Sequence, residues 1–136
     1  MYQRDDPRFA GLDAHDAIAK ASLDPTCLMA NRNARSGTRI LIDHLLGEAR
    51  PAGYSHQARS HNAVAVAIVQ QPADWGMAIE TVAQRCGLGF LPLQAEEYDF
   101  VIRAGRFDRP AVRHFVTLLQ DSTIRAELAR MGFAVV

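Results

Sequence analysis

Residues 27–47 read CLMANRNARSGTRILIDHLLG, and the rest of the chain is placed around them. Cys27-Leu28-Met29-Ala30 is a short apolar run, the pattern of a strand buried on both faces. Asn31 to Arg39 is polar and rich in side-chain donors. From Ile40 the apolar residues Ile40, Leu41, Ile42, Leu45 and Leu46 return at helical spacing, and Gly47 ends the helix. Strand, donor-rich loop and helix in that order form the repeating unit of an α/β layer.

Working outward, residues 1–12 read as irregular, because Pro7 and Gly11 interrupt any early pattern. Asp13 caps a short helix that turns Ala14, Ala17, Ile18 and Ala21 to one side, and Asp24-Pro25 stops it. Residues 49–59 form a connector with a brief strand near Tyr54. Ser60 caps a second helix, with Ala63, Val64, Ala67 and Ile68 on one stripe. Ala73 to Met77 reads as a short strand or turn. Met77 to Cys86 reads as a helix, with Ile79, Val82, Ala83 and Cys86 inward and Gly87 beyond it. Gly89 to Leu93 and Glu97 to Ile102 read as two further strands. Pro110 opens a helix to about Leu119, and Ser122 caps a last one that buries Ile124, Leu128 and Met131. The expected fold class is α/β: a mainly parallel sheet flanked by helices, with right-handed crossovers. The expected organisation is an N-terminal extension over residues 1–23 and one domain over residues 24–136.

Composition narrows the function classes. Fifteen basic residues against 15 acidic ones give zero formal charge across 136 residues. That excludes the broad basic footprint of a nucleic-acid binder. No apolar run approaches a membrane span, and the charged N-terminus lacks the apolar core of a secretory signal. Cys27 and Cys86 follow no C-x-x-C spacing and read as two buried free thiols, which suits a reducing cytoplasm. Among the cations only Lys20 is a lysine.

In sheets of this kind ligands sit beyond the carboxyl ends of strands, where loops enter helices. Two loops hold that position. Arg35-Ser36-Gly37-Thr38-Arg39 offers a helix start whose unpaired N–H groups attract an anion. Gly37 permits close approach, Ser36 and Thr38 add hydroxyl donors, and Arg32, Arg35 or Arg39 adds charge and paired hydrogen bonds. Ser60-His61-Asn62 offers a second start with a hydroxyl, an imidazole and an amide. Each feature alone reads first as a helix cap among solvated side chains. Asp74-Trp75-Gly76-Met77 and the Tyr98-Asp99 pair are two more segments expected near the same crevice. The spacing of a P-loop is absent, and His15, His44, His56, His61 and His114 form no metal-ligand pattern. No nucleophile with an adjacent base is visible, so the reading is a binding domain without catalysis and without a resident cofactor.

Taken in order, Asn31-Arg32-Asn33 with Ser36-Gly37-Thr38-Arg39 and Leu41-Ile42-Asp43-His44-Leu45-Leu46, Gly53-Tyr54, Ser60-His61-Asn62-Ala63-Val64-Ala65, Ala73 to Ile79, Gly87-Leu88-Gly89-Phe90 with Pro92-Leu93, and Glu97-Tyr98-Asp99-Phe100 resemble a known family. It is the type II periplasmic-binding-protein-like domain of the molybdate-binding class, found behind helix-turn-helix regulators or molybdopterin molybdenumtransferases. That domain is also similar to the effector-binding domains of LysR-type regulators.

The resemblance implies two α/β lobes around a ligand cleft. The chain holds about 23 residues ahead of the segment that opens the second lobe, so it is expected to form one lobe with a C-terminal helical tail. It further implies a site for molybdate or tungstate, built by Arg35, Ser36, Gly37, Thr38, Arg39, Ser60 and His61 with Asp74 and Tyr98 at its rim. A homodimer, or a second lobe of a longer protein, would complete the cleft. Two other roles follow from the same resemblance: an accessory domain in molybdenum-cofactor biosynthesis, or an interaction module that has lost its ligand.

Overall fold

The computed structural model describes residues 1–134, and the chain divides into two compact units, Met1–Leu93 and Gln94–Val136. In the first unit three short strands, β1 (Met29–Arg32), β2 (Gln57–Ala58) and β3 (Trp75–Gly76), form a sheet in the order β2-β1-β3. Both pairings are parallel, with Asn31 opposite Gln57, Arg32 opposite Ala58, Met29 opposite Trp75 and Ala30 opposite Gly76. This is the parallel α/β layer that the alternating pattern implies. The central strand is buried along its whole length because it has a neighbour on each edge and helices on each face.

Four helices surround the sheet: α1 (Ala14–Leu23), α2 (Gly37–Leu46), α3 (His61–Val69) and α4 (Glu80–Arg85). Asp13 caps α1 by accepting from Asp16 N–H, and the small residues Ala14, Ala17 and Ala21 are its buried face. Strand side chains alternate between faces, and the two core clusters follow that alternation. Met29 packs with Phe9, Ala17, Ala21, Cys27, Ile42, Leu46 and Trp75 on the side of α1 and α2. Ala30 packs with Val64, Ala65, Ala67, Ile68, Ala83 and Leu88 on the side of α3 and α4. By the same alternation Arg32 leaves the sheet on the α3 side.

Gly76 permits a close approach of β3 to β1 and α3. A Cβ there would stand 2.5 Å from Val64 Cγ1 and 2.7 Å from Ala30 O. Residues 1–23 are part of this unit. Tyr2 makes antiparallel bridges to Trp75 and Gly89, and its ring stacks on Phe9 at 4.6 Å between centroids.

Several expected elements differ. The strand near Tyr54 forms three residues later, at Gln57–Ala58. The helix expected over 77–86 is α4 alone, because Ile79 at its N-cap has no side chain that can accept a backbone N–H. Cys86 follows the last turn of α4 and is exposed, so only Cys27 is a buried thiol. Gly89 to Leu93 supplies a single bridge, from Gly89 to Tyr2. Glu97 to Ile102 is not a strand: among the described residues the stretch has no paired neighbour, and alternation without a partner makes no sheet.

In the second unit Arg103 leads into a 3-10 turn (Ala104–Arg106), followed by α5 (Pro110–Gln120) and α6 (Ser122–Arg130). Asp121, not Ser122, caps α6, accepting from the N–H groups of Thr123 and Ile124. Ring contacts join Phe100 to Phe115 at 4.9 Å and Tyr98 to Phe133 at 6.2 Å. No side chain of α5 or α6 is fully buried, and Ile124 and Met131 are exposed.

Candidate functional site

Parallel pairing brings the carboxyl ends of β1 and β2 to one edge of the sheet. The pairing continues past Arg32, because Asn33 N–H donates to Ala58 O at 3.0 Å. Ser36 follows three residues after Asn33, and Ser60 two residues after Ala58. The starts of α2 and α3 therefore flank the same edge.

Both serines act as caps. Ser36 Oγ accepts from Arg39 N–H at 3.1 Å and donates to Asn33 O at 3.0 Å. Ser60 Oγ accepts from Ala63 N–H at 3.0 Å. In each helix the cap takes the third N–H of the first turn. The N–H groups of Gly37 and Thr38, and that of Asn62, lie outside it, at the positively polarised ends of two helix dipoles. Space beside Gly37 is open, since an added Cβ would meet nothing within 4 Å. Thr38 is buried and His61 half-buried.

Arg32 gives the edge its charge. It is the last residue of β1 and only 7% exposed. Among the described residues its buried Nε and Nη1 atoms have no hydrogen-bond partner. A guanidinium stays protonated even when buried, so it cannot escape the cost of desolvation by losing its proton. A buried cation without a counter-charge is expensive unless something anionic occupies the space beside it.

The other arginines of the loop are placed differently. Arg39 is engaged within the protein: Nε donates to Asp43 Oδ1 at 2.8 Å, Nη1 to Arg32 O at 3.0 Å and Nη2 to Tyr54 Oη at 2.7 Å. Its guanidinium also lies 4.5 Å from the centroid of the Tyr54 ring, and Tyr54 Oη donates to Asp43 Oδ1 at 2.7 Å. This clasp ties α2 to the loop before β2 and holds the carbonyl of Arg32. Arg35 is exposed, with a left-handed φ of 71°.

Asp74 stands at the opposite edge of the sheet, immediately before β3. Its carboxylate accepts from Leu28 N–H at 2.7 Å and from Arg8 Nη2 at 2.7 Å. Arg8 also binds Asp6, whose carboxyl the Arg8 hydrogen bond holds below the usual carboxylate range against the opposing effect of burial. Asp74 thus anchors the N-terminal segment to the start of β1. Tyr98 belongs to the second unit, where its hydroxyl donates to Glu96 at 3.1 Å. Of the expected set, Ser36, Gly37 and Thr38 open α2 and Ser60 and His61 open α3, both beyond the carboxyl ends of β1 and β2. Arg39 stands behind them and Asp74 on the far edge. Among the described residues no group of three or more His, Cys, Asp or Glu is arranged to hold a metal ion.

The sequence profile of the PBP (periplasmic-binding-protein) superfamily domain matches residues 12–120. The chain belongs to the PBP superfamily. The three-stranded parallel sheet flanked by helices is consistent with a lobe of such a domain. Similar proteins include an uncharacterized protein of Clostridium pasteurianum, named for the 5' region of a ferredoxin 2Fe-2S gene, at 30% identity over 81 residues, 59% of this chain and 72% of that one. The uncharacterized protein YvgK of Bacillus subtilis (strain 168) is 34% identical over 77 residues, 53% of this chain, and the match spans 25% of YvgK. No solved structure matches the chain significantly. Among the described residues no helix of this PBP-superfamily chain is long and apolar enough to cross a membrane.

Proposed function

We propose that the chain is a receptor for a small oxyanion, held at the sheet edge by Arg32 and by the N–H groups of Gly37, Thr38 and Asn62. The observation that carries this reading is the buried guanidinium of Arg32, whose Nε and Nη1 lack partners beside two helix starts. An anion beside Arg32 would replace the missing counter-charge, and the ends of the α2 and α3 dipoles at the same edge of the sheet support this reading. Thr38 and Ser60 line the approach, and Arg35 adds exposed charge at its rim.

Molybdate and tungstate are the members of the class that the family resemblance implies, with molybdenum handling as the setting. Sulfate and phosphate meet the same demands of charge and size. In this reading the chain binds and performs no chemistry of its own, and it works in the cytoplasm, where Cys27 and Cys86 stay reduced. A second copy, or a second lobe, would close over the edge and exclude water, which strengthens every charge interaction beneath it.

The test is thermal unfolding of the full chain in anion-free buffer with molybdate, tungstate, sulfate or phosphate in large excess. Ligand at about 100 times its Kd adds roughly 2.7 kcal/mol, a rise of several degrees for a protein this size. A rise with at least one of the four, lost in Arg32→Met, supports the reading. No rise with any of them contradicts it.

A further inference from the structure

A groove in the second unit takes no part in the oxyanion site. It has a volume of about 360 Å³ and is lined by Val101, Ile102, Arg103, Arg106 and Val112. Small-molecule sites span roughly 300–1,000 Å³. The local backbone sets the lining. Arg106 N–H donates to Arg103 O at 2.8 Å, closing the 3-10 turn, and side chains three apart in such a turn lie on the same side. Arg103 and Arg106 therefore leave the chain together. Val112 N–H donates to Arg109 O at 3.0 Å, which sets Val112 in the first turn of α5. Val101, directly before Ile102 and Arg103, is 94% exposed. Three branched aliphatic side chains and two guanidiniums thus share one concave surface.

The charge there is unanswered. Among the described residues neither Arg103 nor Arg106 has an ion pair or a side-chain hydrogen bond. Asp108, two residues past Arg106, is taken by Arg113, whose Nη2 donates to its Oδ1 at 2.6 Å. From Val101 to Arg113, Arg103, Arg106, Arg109 and Arg113 stand against Asp108 alone. The start of α5 has no side-chain cap and no acidic residue in its first turn, so its positive dipole end adds to the same field. A small anion gains little from exposed arginines alone, and an uncharged apolar molecule leaves them without a counter-charge. A molecule with an anionic head and an apolar tail meets both demands. We propose that the groove binds an aliphatic monocarboxylate, its head on Arg103 and Arg106 and its tail along Val101, Ile102 and Val112. A carboxylate takes parallel hydrogen bonds from a guanidinium, and each methylene fully removed from water tightens binding by up to about fourfold. The groove shares no residue with the sheet edge, so this site stands or falls independently of the oxyanion reading.

The experiment is an NMR titration of the full chain near neutral pH with octanoate, acetate, octyltrimethylammonium and phosphatidylglycerol vesicles. It follows the methyl signals of Val101, Ile102 and Val112 and the Nε–H signals of Arg103 and Arg106. Octanoate, kept below its micelle concentration, is expected to move all five residues along one saturable curve. It should bind at least about tenfold more tightly than acetate, because only octanoate has a tail to bury. Octyltrimethylammonium, with the same tail and the opposite charge, should leave them in place at the same concentrations. In the double variant Arg103→Gln, Arg106→Gln the octanoate affinity should fall at least about threefold, the scale of two exposed ion pairs. Both arginines are exposed, and unchanged amide signals in Met1–Leu93 show that the variant folds. Acetate binding as tightly as octanoate reduces the groove to ion pairing and overturns the proposal. Octyltrimethylammonium binding as tightly as octanoate reduces it to apolar contact, with the same consequence. A response to vesicles without one to octanoate assigns the surface to a membrane instead. No shift with octanoate, shifts confined to the sheet edge, or an unchanged affinity in the folded double variant also overturns it. The comparison of octanoate with acetate and octyltrimethylammonium needs no variant.

Discussion

Arg32→Met separates stability from binding, and the two effects have opposite signs. Methionine has nearly the reach of arginine and no polar hydrogen, so it fills the same space beside Ala30 on the α3 side of the sheet. In the free protein two buried donors, Nε and Nη1, lack partners. An unsatisfied buried donor costs about 1–3 kcal/mol, more when it belongs to a charged group. The two donors belong to one guanidinium, so the lower part of the summed range applies: a gain of about 1–3 kcal/mol on substitution. For a cooperative unit of roughly 60–100 residues each kcal/mol moves Tm by about 4–8 °C. The variant should therefore melt at least about 4 °C above the parent in anion-free buffer. With saturating anion the order narrows or reverses, because the parent gains roughly 2.7 kcal/mol at 100 times Kd and the variant gains almost nothing. Differential scanning calorimetry of both proteins, with and without anion, reads all four values. A variant less stable than the parent without anion, or one that keeps the anion-induced rise, refutes the reasoning.

Three further outcomes follow from the packing and the charges. Gly76→Ala sets a methyl group 2.5 Å from Val64 Cγ1 and 2.7 Å from Ala30 O, where backbone must move; urea unfolding should show a loss of about 1–3 kcal/mol or more. Cys86 is exposed while burial pushes the Cys27 thiol up to about 11, so a thiol reagent near pH 8 should label Cys86 quickly and Cys27 only on unfolding. The Asp6 carboxyl titrates below its unfolded value because of its hydrogen bond to Arg8. Its contribution is therefore complete above the ordinary carboxylate range and is lost as pH falls through the folded value. Acid unfolding of Asp6→Asn should show a shallower loss of stability over that window than the parent.

The α/β layer was legible in residues 27–47 because both periodicities, the buried strand and the helix, sit side by side there. Ser36, Ser60 and Asp13 were legible as caps because each precedes the first periodic residue. The extent of β1 was not. Asn31 and Arg32 are polar, and polar residues at the end of an apolar run read as loop, yet pairing with Gln57 and Ala58 carries the strand through them. That misplacement hid the most informative residue, since an arginine in a loop is solvated while an arginine ending a central strand is buried. The partners of Arg39 were hidden for a different reason. Asp43 is one helical turn away and could have been paired with it at i, i+4 spacing, but Tyr54 reaches the pair only through the fold. Asp74 was grouped with the site by its place in a motif, and the parallel register put it on the other edge. The alternation of Glu97 to Ile102 misled because strand identity depends on a neighbour, which sequence pattern alone does not supply.

The central claim is that one sheet edge, formed by Arg32 and the starts of α2 and α3, receives a small oxyanion. An NMR titration that follows the backbone amides and the arginine Nε–H signals as phosphate, sulfate, molybdate or tungstate is added tests it most directly. The account predicts that, for at least one of these anions, the amides of Gly37, Thr38 and Asn62 and the Nε–H of Arg32 move together and saturate with a single Kd. Shifts confined to other parts of the chain, or no saturable shift with any of the four, would contradict it.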